Sequence, residues 1–189
     1  KNLGILNANL DVVSSSFITG FGVLAGRASS STTISNCYTT GTVQTQWNVV
    51  GGLVGINSGS TISNCYSSCS VTQSGGGNLW QLGGLVGSNT TGATIENCYS
   101  TGSINVQSGT SYIGGLAGVN SSATIENCYS TGSITGGSSN IGGLTNNINS
   151  GTVTNSFWDT ETSGLLASGG GTGKSTAEMK MTSTFTDAG

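Results

Sequence analysis

The feature that most constrains this chain is that it repeats itself about every 30 residues. The pentapeptide Gly51-Gly52-Leu53-Val54-Gly55 returns as Gly83-Gly84-Leu85-Val86-Gly87 and as Gly114-Gly115-Leu116-Ala117-Gly118. Looser copies stand at Gly22-Val23-Leu24-Ala25-Gly26 and Gly142-Gly143-Leu144-Thr145-Asn146. A second block follows each copy: Thr33-Ile34-Ser35-Asn36-Cys37-Tyr38, then the blocks ending in Asn64-Cys65-Tyr66, Asn97-Cys98-Tyr99 and Asn127-Cys128-Tyr129. The fifth, Thr152-Val153-Thr154-Asn155-Ser156-Phe157, carries Ser for Cys and Phe for Tyr. A third, shorter block places Val43, Val71, Ile104 and Ile134 at a common offset. One such unit has too few apolar residues to bury a core alone, so the units must stack.

Each unit holds short segments of Val, Ile, Thr and Tyr between clusters of Gly, Ser and Asn, the signature of strands and turns. No segment sustains an apolar period of 3.6, and the 33 glycines disfavour helix. The expectation is therefore all-β: a right-handed parallel β-solenoid (β-helix) of about five coils, each of roughly 30 residues with three short strands. The chain divides into an N-terminal strand layer or cap over 1–19, one solenoid of five repeats over 20–158, and a Gly/Ser/Thr-rich C-terminal segment over 159–189 with a short helix from Ser175 to about Met181.

Stacking turns each recurring residue into a column. The leucines at Leu24, Leu53, Leu85, Leu116 and Leu144 are expected to face inward. Asn36, Asn64, Asn97, Asn127 and Asn155 fall where the strand must bend, a position suited to Asn because it tolerates left-handed geometry. Cys37, Cys65, Cys98 and Cys128 occupy an inward slot, as buried thiols or as ladder disulfides between adjacent coils. A zinc site does not fit thiols about 30 residues apart with no His. Cys69 is an extra thiol where Gly41 and Gly102 stand in neighbouring repeats. Tyr38, Tyr66, Tyr99 and Tyr129 follow the Cys column by one residue and so face outward, either packing beneath the variable loops or forming a contact stripe for carbohydrate or a neighbouring protomer. Trp47 and Trp80 lie in the variable inter-repeat loops, a second candidate contact surface.

The Gly-Gly-Leu-Val-Gly block followed by Thr-Ile-Glu-Asn-Cys-Tyr-Ser-Thr-Gly-Ser-Ile resembles the GLUG repeat of secreted bacterial and archaeal surface proteins. The stretch from Asn155-Ser156-Phe157-Trp158-Asp159 to Lys174-Ser175-Thr176-Ala177-Glu178-Met179 is similar to the segment that closes such arrays. The pattern departs at Val23, Asn146 and Cys69. The resemblance implies an extracellular or cell-surface setting and an adhesive or structural role, with no catalytic residues to carry over.

Composition narrows the chemistry. There is no His, so no histidine-based triad and no histidine-ligated metal within the chain. Lys and Arg number 4, too few to neutralise a nucleic-acid backbone. No apolar run approaches the roughly 20 residues of a membrane span, so no membrane insertion is expected. The N-terminal residues lack a secretory signal core, which places any such signal upstream or already removed. No cofactor is implied. Ser168 to Ser175 mimics a phosphate loop but lacks its first Gly and its strand–loop–helix setting. Asp159 and Glu161 form an isolated acidic pair. Arg27, Lys174 and Lys180 are too scattered to propose an enzyme. Asn89-Thr90-Thr91 and Asn120-Ser121-Ser122 fit the glycosylation sequon.

The leading expectation is a non-enzymatic extracellular structural or adhesive segment that self-associates head-to-tail or laterally through open solenoid ends, with a glycan or cell-surface partner. The alternative is an ice-binding or carbohydrate-binding solenoid. Its hydroxyls would come from the columns of Thr39, Ser67, Ser100 and Ser130 and of Thr40, Ser68, Thr101 and Thr131.

Overall fold

A computed structural model describes residues 1–12, 20–46, 49–75, 80–107, 111–137 and 139–188. The chain winds as a parallel β-solenoid, and strands of successive coils pair parallel along each of its faces. The first face stacks Gly20–Gly22, Val49–Gly51, Trp80–Gly83, Ser111–Gly114 and Ile141–Gly142. A second stacks Ala25–Ser29, Val54–Ser58, Val86–Thr90, Ala117–Ser121 and Thr145–Asn149. The third stacks the five Thr-Ile-Glu-type strands, from Thr33–Ser35 to Thr152–Thr154.

The fourth face is a 10-stranded sheet with two arms. In the first coil both arms are one strand, Tyr38–Thr45, whereas later coils split it, as in Tyr99–Ser100 and Ile104–Val106. A later coil therefore contains five short strands rather than the three expected, because its corners fall inside segments that read as continuous. The solenoid completes about four turns, with partial coils at each end, instead of five full coils.

At the N-terminal end Gly4–Val12 pairs with Tyr38–Thr45 and lays half a coil over the fourth face. Leu24 and Ile34 sit in the first coil and are half-buried, while Leu53, Leu85, Leu116 and Leu144 are fully buried, as are Ile62, Ile95 and Ile125. Burying one such side chain contributes about 1.5–3 kcal/mol.

The interior has two apolar lobes. One contains the Leu and Ile columns with Cys37, Cys65, Cys98 and Cys128; the other gathers Val43, Val71, Ile104, Leu82 and Ile113 around Cys69. Between them runs a polar waist. Thr39 donates to the Gly52 carbonyl at 3.0 Å and Ser130 to the Gly143 carbonyl at 2.7 Å. The second glycine of each repeat exists for this waist: a Cβ at Gly84 would lie 2.1 Å from the Ser100 hydroxyl and 2.3 Å from the Gly115 carbonyl oxygen.

The C-terminal end is covered. Trp158 takes the place of the waist serine over Gly143 and donates its indole N–H to the Leu165 carbonyl at 3.0 Å. Gly143 N–H bonds the Ala167 carbonyl and Gly169 N–H bonds the Thr145 carbonyl, so residues 165–169 occupy backbone positions that a further coil would use. The expectation of two open ends fails here. The resemblance of 155–179 to a segment that closes such arrays is the sequence signal that agrees with this cover.

A tyrosine comb and the cleft at its end

The Asn column turns each coil from the third face to the fourth. Asn36, Asn64, Asn97, Asn127 and Asn155 all have φ between 46° and 54°, which Asn adopts more readily than other residues with a side chain. This bend swings the next N–H away from the backbone ladder, and the Cys column receives it. Cys37 N–H donates to the Cys65 sulfur and Cys65 N–H to the Cys98 sulfur, each at 3.3 Å. The thiols in turn donate to carbonyls two residues back, Cys65 to Ser63 at 3.1 Å and Cys98 to Glu96 at 3.1 Å. Ser156 does the same work, accepting from Cys128 N–H at 3.1 Å and donating to the Thr154 carbonyl at 2.7 Å.

All five cysteines are buried free thiols. The Cys98 thiol raises the pKa of Cys65 through their hydrogen bond, and burial adds to it; for Cys98 burial leads and the Cys128 thiol follows. These are unreactive groups. Cys69 is fully buried in the second lobe, its N–H donating to the Ser67 hydroxyl at 3.2 Å.

One residue on, Tyr38, Tyr66, Tyr99 and Tyr129 stack face to face. Their ring centroids are 5.0, 4.8 and 4.9 Å apart and their planes within 2–5° of parallel. The rings are half-buried. Because each ring's faces are spent on its neighbours, the column offers solvent its edges and a comb of phenol hydroxyls. The ends are closed too. A Cβ at Gly4 would fall 2.2 Å from the Tyr38 ring, and Phe185 leans on Tyr129 at 5.6 Å and 58°. Phe157, next in register, is buried and meets Phe185 edge-on at 5.7 Å and 86°. Burial, then the neighbouring phenol, raises the pKa of Tyr99 and Tyr129 above the usual 10.0.

Beside the comb lie the outward columns Thr40, Ser68, Thr101, Thr131 and Thr42, Ser70, Ser103, Ser133. The column of Thr39, Ser67, Ser100 and Ser130, expected to meet a ligand, is instead the buried waist, because strand alternation turns it inward. Half of the hydroxyls assigned to an ice- or sugar-binding face are thus removed. Trp80 opens a strand of the first face in register with Ser111, away from the comb; Trp47 lies outside the described residues.

A column missed in the sequence is Asn57, Asn89 and Asn120 on the second face. The Asn57 amide donates to Asn89 Oδ1 and that of Asn89 to Asn120 Oδ1, both at 2.9 Å, and all three residues are fully buried. The sequon reading of Asn89 and Asn120 fails for this reason: a buried, ladder-bonded amide cannot carry a glycan in the folded chain. The available signal was their recurrence at the repeat interval.

The acidic pair and the phosphate-loop look-alike both serve the cap. Asp159, 2% exposed, accepts from Glu161 N–H and Thr162 N–H at 3.0 and 3.1 Å, starting the helix Thr160–Ser163, and from the Thr176 hydroxyl. Ser175 and Glu178 bond each other reciprocally as a capping box ahead of Glu178–Lys180. A further helix, Thr182–Thr186, brings in Phe185. The segment from Ser175 to Met181 thus holds a 3-10 turn in place of the expected single helix.

Folded back, this cap leaves a cleft of about 590 Å³ at the C-terminal end of the comb. Met179, Phe185 and Tyr129 form its apolar wall, and Thr101, Thr131, Thr162, Asp159 and Lys180 supply polar groups. Lys180 and Asp159, unrelated in the sequence reading, share this one space. Among the described residues no cluster of His, Cys, Asp and Glu suits a metal ion, and no helix is long and apolar enough to cross a membrane.

Residues 48–72, 78–105 and 109–135 match the GLUG motif. Among curated proteins no sequence matches the chain. A solved structure from Bacteroides ovatus, described as a "putative immunoglobulin A1 protease", is similar with a TM-score of 0.62 and 24% identity. The similarity covers 93% of this chain and 60% of that one, so this chain spans less than two thirds of its length. At that identity the likeness concerns the fold.

Proposed function

Three GLUG motifs make this chain a GLUG-repeat protein, and from that premise we propose that it is a non-enzymatic extracellular adhesive segment that works by presenting the fourth face. The observation that carries this reading is the comb: four phenol rings with centroids 4.8–5.0 Å apart, beside two outward hydroxyl columns. The outward columns of this face hold no Lys, Arg, Asp or Glu in the coils from Tyr38 to Gly136. A face of this kind binds through many neutral hydrogen bonds along a line, and shape and repeat select its partner. Its own interior is committed to holding the rungs together.

Lateral association of copies belongs to the same reading, since a second comb has the same pitch. Head-to-tail growth does not, because residues 165–169 cover the C-terminal coil. Ice binding is not favoured: the outward columns mix Ser with Thr, and the column that would complete a Thr-x-Thr array faces inward.

The test is adhesion of the purified chain to immobilised extracellular glycoproteins and to itself, compared with the Tyr66→Ser/Tyr99→Ser double variant. The variant is expected to lose most adhesion while remaining folded by circular dichroism. Adhesion equal to that of the parent chain would sink the comb as the contact surface. Turnover of immunoglobulin A1 or of a polysaccharide by the chain alone would overturn the non-enzymatic part.

A further inference from the structure

The cleft between the comb and the cap has the makings of a ligand site at the end of the flat face, with groups from the cap that the face does not have. Its volume of about 590 Å³ lies within the range of small-molecule sites, roughly 300–1,000 Å³. It also has what the comb lacks, an aromatic surface not used up by stacking: Phe185 touches Tyr129 and Phe157 by tilted and edge contacts and is 39% exposed.

The polar groups divide into committed and free. The Thr176 hydroxyl is committed to Asp159, at 2.9 and 2.8 Å from its two oxygens. Asp159 Oδ1 also takes the two N–H groups of the helix start, whereas Oδ2 meets only the Thr176 hydroxyl and keeps a lone pair. The hydroxyls of Thr101, Thr131 and Thr162, the Tyr129 phenol and the Lys180 ammonium bond no described protein group. The cleft therefore presents donors and at least one buried anionic acceptor together. Lys180 and Asp159 contribute opposite unit charges but form no ion pair with each other, so a ligand must meet both while the lining charge sums to zero.

We propose that this cleft binds one neutral sugar residue at the end of a glycan chain. A hydroxyl both donates and accepts, so adjacent hydroxyls of one ring can accept from Lys180 and Thr131 while another donates to Asp159 Oδ2. The apolar face of the same ring rests on Phe185 and Met179. An anion would gain Lys180 but face the buried Asp159 carboxylate. A purely apolar ligand would leave Asp159 Oδ2 desolvated and unpaired. The site rests on the adhesive reading and deepens it by giving it a ligand class; it shares Tyr129, Thr101 and Thr131 with the fourth face, whereas Asp159, Thr162, Met179, Lys180 and Phe185 belong to the cleft alone.

The experiment is a titration of the full chain, followed by amide NMR shifts, with neutral oligosaccharides identified as hits on a glycan array. Uronate-terminated analogues and inorganic sulfate serve as anionic probes. A neutral glycan is expected to give saturable shifts centred on Thr131, Thr162 and Lys180. Lys180→Met and Thr131→Val are each expected to weaken it about tenfold, a loss on the scale of one hydrogen bond to a charged or well-oriented group. The Tyr66→Ser/Tyr99→Ser variant should keep the affinity of the parent chain. No saturable binding of any neutral glycan, or tighter binding of the uronate analogue, overturns the proposal. Shifts that saturate but survive both cleft substitutions overturn it as well. Glycan binding that persists when adhesion through the comb fails would sink the comb alone and leave the cleft standing.

Discussion

At the scale of single residues, the cysteines are the clearest case of a reactive residue type used for geometry. A sulfur in the column joins two coils by accepting from one and donating within the other, and Ser156 shows that a hydroxyl can do both. Cys65→Ser is therefore expected to change stability by less than about 1 kcal/mol. Cys65→Ala leaves the Cys37 N–H buried without its acceptor and should cost about 1–3 kcal/mol in denaturant unfolding. The raised thiol pKa values fix a sign: the folded state favours the protonated form, so their stabilisation is complete below the ordinary thiol value of 9.0 and is lost as pH rises past it. Blocking of thiols by a maleimide should track global unfolding.

The Asn ladder makes a constructive prediction. Asn57 Oδ1 is buried without a partner because Ala28 holds the equivalent position in the coil before it. Ala28→Asn would supply the missing amide donor, and a gain of about 0.5–1.5 kcal/mol is expected, read as a higher melting temperature. No gain would mean that the site lacks room for the longer side chain.

At the scale of elements, the decisive piece is the glycine corner that joins the first two faces. Gly84→Ala would put a methyl group against both the Ser100 hydroxyl and the backbone oxygen of Gly115. A side chain can move aside, but the stacked backbone of the next coil cannot. A loss of more than about 3 kcal/mol is expected, and Ser100→Gly should not rescue it. Asn97→Ala, which forces a left-handed φ of 53° on a β-carbon, should cost about 1–2 kcal/mol, whereas Asn97→Gly should be tolerated better.

These elements also show what was legible beforehand. The parallel stacking and the Leu, Ile and Cys columns follow from recurrence, and the inward side of the Leu column from its apolar character. The five-strand coil does not, because Tyr66–Ser67 and Ser70–Gln73 are too short to show a period of their own. The inward turn of Ser67 and Ser100, by contrast, was legible: alternation from inward Cys65 and Cys98 through outward Tyr66 and Tyr99 places them inside, and only their hydroxyl chemistry suggested a surface. The cleft was invisible because it joins Thr101 and Thr131 to Lys180 and Phe185 across a fold of the cap, which no interval in the sequence marks.

At the scale of the whole molecule, the two ends differ. Removal of residues 159–189 would expose Leu144, the edge of Thr145–Asn149 and the backbone groups now held by residues 167–169. That truncated chain should oligomerise, as seen by light scattering after size exclusion, while the full chain shows no end-to-end growth. A monomeric truncated chain would argue that the coil edge is protected by something other than the cap. Alkali should weaken the comb: Tyr99 and Tyr129 stabilise the fold fully below the ordinary phenol value of 10.0, and that contribution is lost as pH climbs through their raised values.

The stack of four phenols has an optical consequence as well. Rings held parallel at 4.8–5.0 Å exchange excitation among themselves before they emit. Because the rings are in register and parallel to within 2–5°, transfer from ring to ring keeps the polarisation of the emission, and a single tilted rung lowers it. The protein thus carries its own spectroscopic gauge of coil register.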